Sequence, residues 1–267
     1  MGDWHDGAVV LVSRSTGSAH LIWSKSHVTH SEPTSATDAS QVRVAAIIVA
    51  AGLGSRFGGG VNKVLLDLAG EPVWVRSVRA MRSSLRIKSI VVVVRAEDEA
   101  VMQPIARSIG VDVVIGGEAR YDSVRNGLAH VTRNLLPDLV AIHDAARPLV
   151  TAADVDAVIE AAARTGAAIL ATPVRGTIKR DRRGVTTTVD RNGLWEALTP
   201  QVFRTSILCA AYARHRGRPV TDDAELVERS GVAVTLVSGS PENIKITQRE
   251  DLRIAASIFS SRNATNE

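Results

Sequence analysis

The 267-residue chain reads as an α/β fold built on a mainly parallel sheet with helices on both faces, and three observations predict it. Short β-branched runs alternate with segments whose apolar residues recur at helical spacing from Val44 onward. One of those runs, Ile90-Val-Val-Val-Val94, has no polar alternation and suits a strand buried on both faces. Glycine-rich or carboxylate-bearing segments follow several strands, where ligands of such sheets bind.

In chain order, Val44–Ala50 predicts the first strand, and a glycine-rich stretch, Gly52–Gly60, follows it. Val73–Met81 has helical spacing, Ile90–Val94 is strand-like, Glu97–Ile109 helix-like and Val111–Ile115 strand-like. Asp122–Val131 returns to helix, and Leu139–Ile142 is a strand ending at His143-Asp144. Asp154–Arg164 is a helix that stops before Gly166, and Ala168–Val174 is a strand. The rhythm then breaks. Arg175, Lys179, Arg180, Asp181, Arg182 and Arg183 lead to a turn at Gly184 and to Val185-Thr-Thr-Thr-Val189, which reads as strand, turn, strand. This ribbon is too polar to bury itself, so it is expected either to protrude as an arm that docks on a second subunit or to be a loose loop. Helices over Val202–Arg214 and Asp222–Glu228, a strand over Val232–Val237 and a helix over Glu250–Ser260 complete the pattern.

Composition narrows the function. A hydrophobic fraction of 45% is ordinary for a globular domain, but aromatic residues make up only 3%, too few for base-stacking platforms. The formal charge of +4 and pI of about 9.6 suit a protein that handles phosphates, and no dense Lys/Arg block points to nucleic acid. Cys209 is the lone cysteine, which rules out an internal disulfide and a cysteine-based zinc cluster. No apolar run approaches the ~20 residues of a membrane span. Residues 1–42 are rich in Ser, Thr and His and carry Asp3, Asp6, Glu32 and Asp38. They read as a disordered extension or an over-early start rather than a targeting segment, and a cytoplasmic location is expected.

Two familiar motifs are excluded in the first loop. Its glycines at 52, 54 and 58 are spaced one residue too wide for a dinucleotide fingerprint, and Lys63 is followed by Val64 rather than the Ser or Thr of a P-loop. What remains is a turn of exposed amides with Arg56 and Lys63 placed to face one anion, or a plain structural loop. Asp144, at a strand end before small residues, would face the cleft or cap a turn. Ser123 stands at a helix start. Lys245, between Ile244 and Ile246, would point to one face of an extended run.

Ala50-Ala-Gly-Leu-Gly-Ser-Arg-Phe-Gly-Gly-Gly-Val-Asn-Lys63, Gly116-Gly-Glu-Ala-Arg-Tyr-Asp-Ser123, His143-Asp-Ala-Ala-Arg-Pro148, Pro173-Val-Arg-Gly-Thr-Ile-Lys-Arg180, Thr221-Asp-Asp-Ala224 and Asn243-Ile-Lys-Ile-Thr247 resemble, in order, the motifs of the 2-C-methyl-D-erythritol 4-phosphate cytidylyltransferase family. So does Val189-Asp-Arg-Asn-Gly-Leu-Trp-Glu-Ala-Leu-Thr-Pro-Gln201. The resemblance implies a Rossmann-like nucleotidyltransferase domain over residues 43–262, with a dimerisation arm at about 175–201. It implies joining of CTP to a small polyol phosphate with Mg²⁺, by a homodimer, without nucleic acid or membrane. By the same resemblance Arg56 and Lys63 are catalytic and hold the CTP phosphates. Asp144 is the Mg²⁺ ligand, and Arg147 contacts the substrates. Ala50, Gly52, Gly117 and Ser123 form the nucleotide pocket, and Arg180, Thr188, Thr221 and Lys245 receive the polyol phosphate. The family often has proline where this chain has Asn62, so a less rigid loop is expected here. Ribitol 5-phosphate is the alternative acceptor, and a non-catalytic nucleotide-binding protein is a more distant one.

Overall fold

The computed structural model describes residues 42–52 and 62–264. The expected extension over 1–42 therefore lies almost wholly outside the described residues, as does Arg56. Seven strands make the central sheet: β1 (Val44–Val49), β4 (Ile87–Val94), β5 (Asp112–Ile115), β6 (Leu139–Asp144), β7 (Ala167–Pro173), β10 (Trp195–Arg204) and β11 (Thr235–Ser238). Their order across it is β11-β7-β10-β6-β1-β4-β5. Neighbours run parallel except where β10 pairs antiparallel with both β6 and β7. The expected mainly parallel α/β sheet is the architecture observed.

Alternation along β1 explains why both faces need cover. Val44, Ala46 and Ile48 face one core, where α1 (Val73–Arg82), α2 (Ala96–Ser108) and α4 (Ala152–Thr165) supply Trp74, Met81, Met102, Val158 and Ile159. Ala45 and Ile47 face the other, closed by α3 (Arg120–Asn134), α5 (Thr205–Arg214) and α6 (Asp223–Arg229) through Val124, Leu128, Leu208 and Val227. A strand with both faces covered gains hydrophobic burial from every residue, which is why polar alternation is missing from its sequence. A third cluster seats α7 (Arg249–Ala264), whose Ala255 meets Leu68, Val73, Leu149 and Ile246.

Two small pairings lie outside this sheet. β2 (Asp67–Leu68) and β3 (Glu71–Pro72) form a tight hairpin ahead of α1. β8 (Ile178–Arg182) and β9 (Val185–Val189) form the expected ribbon, joined by Arg183 and Gly184, both at positive φ as a two-residue hairpin turn requires. The ribbon is almost wholly exposed. Its register pairs Lys179 with Thr188 and Arg180 with Thr187. Arg180 and Thr188 thus stand on opposite faces of it, and Lys179 rather than Arg180 reaches the Thr188 hydroxyl, at 2.7 Å.

One predicted element is corrected. The helix expected over Val202–Arg214 begins only at Thr205, and the residues before it belong to β10. Pro200 and the polar Thr199 and Gln201 mask the strand, because a proline cannot donate to a ladder. The ladder shifts register between Ala197 and Gln201, so Pro200 falls where no ladder hydrogen bond is needed. Val202 and Phe203 then bury completely.

Candidate active site

A cleft of about 290 Å³ opens at the carboxyl ends of β1 and β6 and the start of α3, lined by Val49–Gly52, Lys63, Val64, Glu118, Arg120, Ser123, Asp144, Ala146, Lys245 and Thr247. It unites residues from five separate parts of the sequence. Of the expected site residues, Ala50, Gly52, Lys63, Ser123, Asp144 and Lys245 are on its lining. Gly117 is one residue from Glu118, and Arg147 lies behind Asp144, only 7% exposed. Thr221, Arg180 and Thr188 are not on the lining.

Asp144 is the electrostatic centre. It ends β6, and its backbone N–H donates to the Thr199 hydroxyl oxygen at 3.1 Å, which fixes the residue at the sheet edge. Lys245 Nζ is 2.7 Å from Oδ2, Arg120 Nη2 3.6 Å from Oδ1 and Arg147 Nε 3.7 Å from Oδ2. Burial pushes the carboxyl pKa up, but Lys245, Arg120 and Arg147 outweigh it and hold the group well below the usual carboxylate range. Asp144 is therefore ionised at any physiological pH. Lys245 reaches it because Ile246 is fully buried and its N–H donates to Ala146 O at 2.9 Å, laying the Asn243–Thr247 segment along the Asp144–Arg147 turn. Asn243 ties the same segment down, donating to Thr199 O and accepting from Arg147 Nη1, each at 2.8 Å.

His143, fully buried, is a structural link in this wall. Its Nε2–H donates to Arg147 O at 3.0 Å, and its Nδ1 accepts from the Thr199 hydroxyl at 3.1 Å. Burial lowers its pKa to about 4, so the ring is neutral and both nitrogens are engaged.

Ser123 takes part in the helix start, accepting from Gly117 N–H at 3.2 Å and facing Ala119 O at 3.2 Å. The two glycines before it are required by close approach. A Cβ at Gly116 would stand 2.7 Å from Ser123 Oγ, and one at Gly117 2.3 Å from the Asp122 Cβ. At Gly52 the opposite holds, since a Cβ would meet nothing within 4 Å among the described residues.

Arg120 is a cleft residue that the sequence reading passed over. Asp223, 2% exposed, holds its Nη1 at 2.6 Å and accepts the Tyr212 hydroxyl at 2.5 Å. Burial would lower the Arg120 pKa, yet Asp223 and Asp144 more than compensate and keep it charged. The second Asp of Thr221-Asp-Asp-Ala224 is thus an anchor for a cleft cation, while Asp222 caps α6 by accepting from Glu225 N–H at 2.9 Å. Thr221 itself is tied to Glu225, through its N–H at 2.7 Å and its hydroxyl at 2.9 Å.

Among the described residues no group of three or more His, Cys, Asp or Glu side chains is placed to cage a metal. The donor set suits a hard cation held mainly by ligand phosphates, because Mg²⁺ takes one or two carboxylates and keeps oxygens from phosphate and water. Asp144 and Glu118 are the two carboxylates on the lining, and Asp144 is the one held ionised by the surrounding cations. No described helix is long and apolar enough to cross a membrane.

Comparison with known proteins agrees with this geometry. The family model described as IspD, 2-C-methyl-D-erythritol 4-phosphate cytidylyltransferase, matches residues 44–261. A relative of that name from Rhodopirellula baltica is 46% identical over 229 residues, 81% of this chain and 94% of the relative. Another from Pelotomaculum thermopropionicum is 44% identical over 231 residues, 82% of this chain and 95% of the relative. The crystal structure of the Thermus thermophilus 2-C-methyl-D-erythritol 4-phosphate cytidylyltransferase superposes with a TM-score of 0.68 at 29% identity, covering 80% of this chain and 98% of that one. The 4-diphosphocytidyl-2C-methyl-D-erythritol synthase of Anaerococcus prevotii gives a TM-score of 0.71 at 28% identity, covering 82% and 99%. The chain belongs to the 2-C-methyl-D-erythritol 4-phosphate cytidylyltransferase family.

Proposed function

We propose that this chain joins the cytidylyl group of CTP to 2-C-methyl-D-erythritol 4-phosphate and releases pyrophosphate, as a step of the non-mevalonate route to isoprenoid precursors. The observation that carries the reading is the arrangement of Lys63, Arg120 and Lys245 with an ionised Asp144 on one cleft at the strand ends. Cations around a cleft wall suit two anionic substrates, and no nucleophilic side chain is required.

An oxygen of the substrate phosphate attacks the α-phosphorus of CTP and forms the new O–P bond. The bond to the β-phosphate oxygen breaks opposite, and its electron pair leaves with pyrophosphate. The attacking monoester is largely ionised near neutral pH, its second pKa being about 6, so no general base is called for. The neutral, hydrogen-bonded His143 is consistent with that. Lys63, with Arg56 of the preceding loop, neutralises charge building on the α-phosphate and leaving group. Ala50, Gly52, Gly117 and Ser123 form the nucleotide pocket. Arg120 holds Asp144 from the cleft lining and Arg147 from behind it, so Arg147 bears on the substrates through Asp144. Bound at Asp144 and the phosphate oxygens, Mg²⁺ would supply further neutralisation of the triphosphate.

Lys245 takes the polyol phosphate together with Thr221, and Arg180 and Thr188 act from the ribbon of a second copy, so the working unit is a cytoplasmic homodimer. The test is pyrophosphate release from CTP with 2-C-methyl-D-erythritol 4-phosphate or ribitol 5-phosphate, each with and without Mg²⁺. Release only with the methylerythritol substrate and metal supports the proposal. Preference for ribitol 5-phosphate, or no release with either, refutes it.

A further inference from the structure

Asn62 stands at the junction between the glycine-rich loop and the short 3-10 turn Lys63–Leu65, directly before the lysine assigned to the triphosphate. It is 3% exposed, unusual burial for an amide beside a ligand loop. Its side chain is bonded in three directions. Oδ1 accepts from Val64 N–H at 3.3 Å and caps the turn. Nδ2 donates to Ala50 O at 3.3 Å, the strand-end residue of the cleft floor, and to Asp98 Oδ2 at 2.7 Å.

Asp98 is itself held rigidly. It is 7% exposed and takes Arg95 on both oxygens, Nε at 2.7 Å and Nη2 at 3.0 Å. The Arg95 hydrogen bond leads in keeping its carboxyl below the ordinary range, burial opposes, and the Asn62 amide adds to the lowering. Ala50 is fixed in turn by its own N–H, which donates to Val93 O at 2.8 Å. Cap, cleft floor and the β4–α2 corner therefore converge on one side chain. Capping alone requires only an acceptor, which serine, threonine or aspartate would supply. The two donors of an amide are what the position adds.

We infer that Asn62 and Asp98 form a positioning clamp that fixes the backbone of Lys63 relative to the cleft floor, so that the lysine ammonium meets the phosphates in one place. The inference rests on the role proposed for Lys63. Neither clamp residue is on the cleft lining, so the pair acts through the lysine and not on substrate. A misplacement of about 1 Å at such a group can cost on the order of a hundredfold in rate.

The test is a set of variants, Asn62→Ala, Asn62→Asp and Asp98→Ala, each also made in a Lys63→Ala background, with kcat, KM for CTP and thermal midpoint measured for all. Asn62→Asp keeps the cap acceptor and removes both donors. The expected result is a fall in kcat of about ten- to a hundredfold for each single variant at a temperature where it is folded. In the Lys63→Ala background the same substitutions should change kcat by less than about threefold, since the group they position is gone. Undiminished losses there, or an Asn62→Asp enzyme with normal kcat, would overturn the clamp while leaving Lys63 in its role. A Lys63→Ala enzyme with near-normal turnover would overturn both.

Discussion

Lys245 places its Nζ 2.7 Å from Asp144 Oδ2, although the two residues belong to different segments that meet only because Ile246 is buried beside Ala146. Their pairing leaves the Asp144 carboxylate ionised and the lysine on the cleft wall. Lys245→Met keeps most of the apolar stem and deletes the charge. We expect KM for the polyol phosphate to rise about ten- to a hundredfold, the range of one lost charge-assisted hydrogen bond, with a smaller change for CTP. Steady-state kinetics with each substrate varied in turn checks this, and an equal rise for both would remove Lys245 from the acceptor site.

Lys63→Ala should fold as the wild type does and lose on the order of 10²–10³ in turnover, by analogy with removal of one aimed donor at a transition state. Circular dichroism establishes the fold, and pyrophosphate release measures the loss.

The buried imidazole of His143 predicts an acid-side loss of stability. Its pKa is about 4 when folded, against about 6.5 in the unfolded chain. Between those values the unfolded chain binds a proton that the folded chain refuses, so stability falls as pH drops through that window and levels off below it. The full effect is about 3 kcal/mol, most of it developed by pH 5. Asp144 has the depressed-carboxylate sign, and its contribution is lost only below the ordinary carboxylate pKa, outside this window. Urea unfolding at pH 7.5 and 5 should show the difference, and His143→Gln should flatten it.

Gly52 lines the cleft, and among the described residues nothing lies within 4 Å of where its side chain would stand. Gly52→Val should leave the thermal midpoint within about 2 °C and weaken CTP binding at least tenfold, as calorimetric titration would show. An unchanged affinity would place the nucleotide elsewhere.

Arg180 lies on an exposed ribbon strand, away from the cleft lining of its own chain. Arg180→Ala should therefore raise KM for the polyol phosphate without altering that for CTP. If the proposed shared site forms, mixing Arg180→Ala with Lys63→Ala should restore part of the activity, because a mixed dimer would then contain one intact composite site. Absence of complementation under exchange conditions would count against a shared site.

The legible parts of the fold were those where one face or both faces of an element dictate residue type. β1, the Ile90–Val94 part of β4 and the Leu139–Ile142 part of β6 announced themselves as apolar runs, and α4 by its spacing and terminal Gly166, because burial acts on every residue of such segments. β10 was hidden because Thr199, Pro200 and Gln201 serve the site and the bulge rather than the core. The site was legible where a residue stands in a recognisable short motif, as Asp144 does in His143-Asp-Ala-Ala-Arg-Pro148 and Lys245 in Asn243-Ile-Lys-Ile-Thr247. Arg120 was missed because its anchor, Asp223, is 103 residues away, and no periodicity encodes such a pair. The remaining signal was the doubled acid of Thr221-Asp-Asp-Ala224, in which one carboxylate suffices for the cap. The looser loop expected from Asn62 lies outside the described residues, while Asn62 itself is held by three side-chain bonds in place of a proline ring.

The antiparallel course of β10 has a mechanical consequence. The chain leaves β7 into the ribbon and returns as β10, which rejoins at the Trp195–Pro173 pair and then runs alongside β6. The length of the excursion can change without disturbing the sheet, since both of its feet are anchored on adjacent strands. A slip of β10 by a single residue would instead pull the Thr199 hydroxyl from beneath Asp144 and His143, so the site depends on the seam that returns the ribbon and not on how far the ribbon reaches above the sheet.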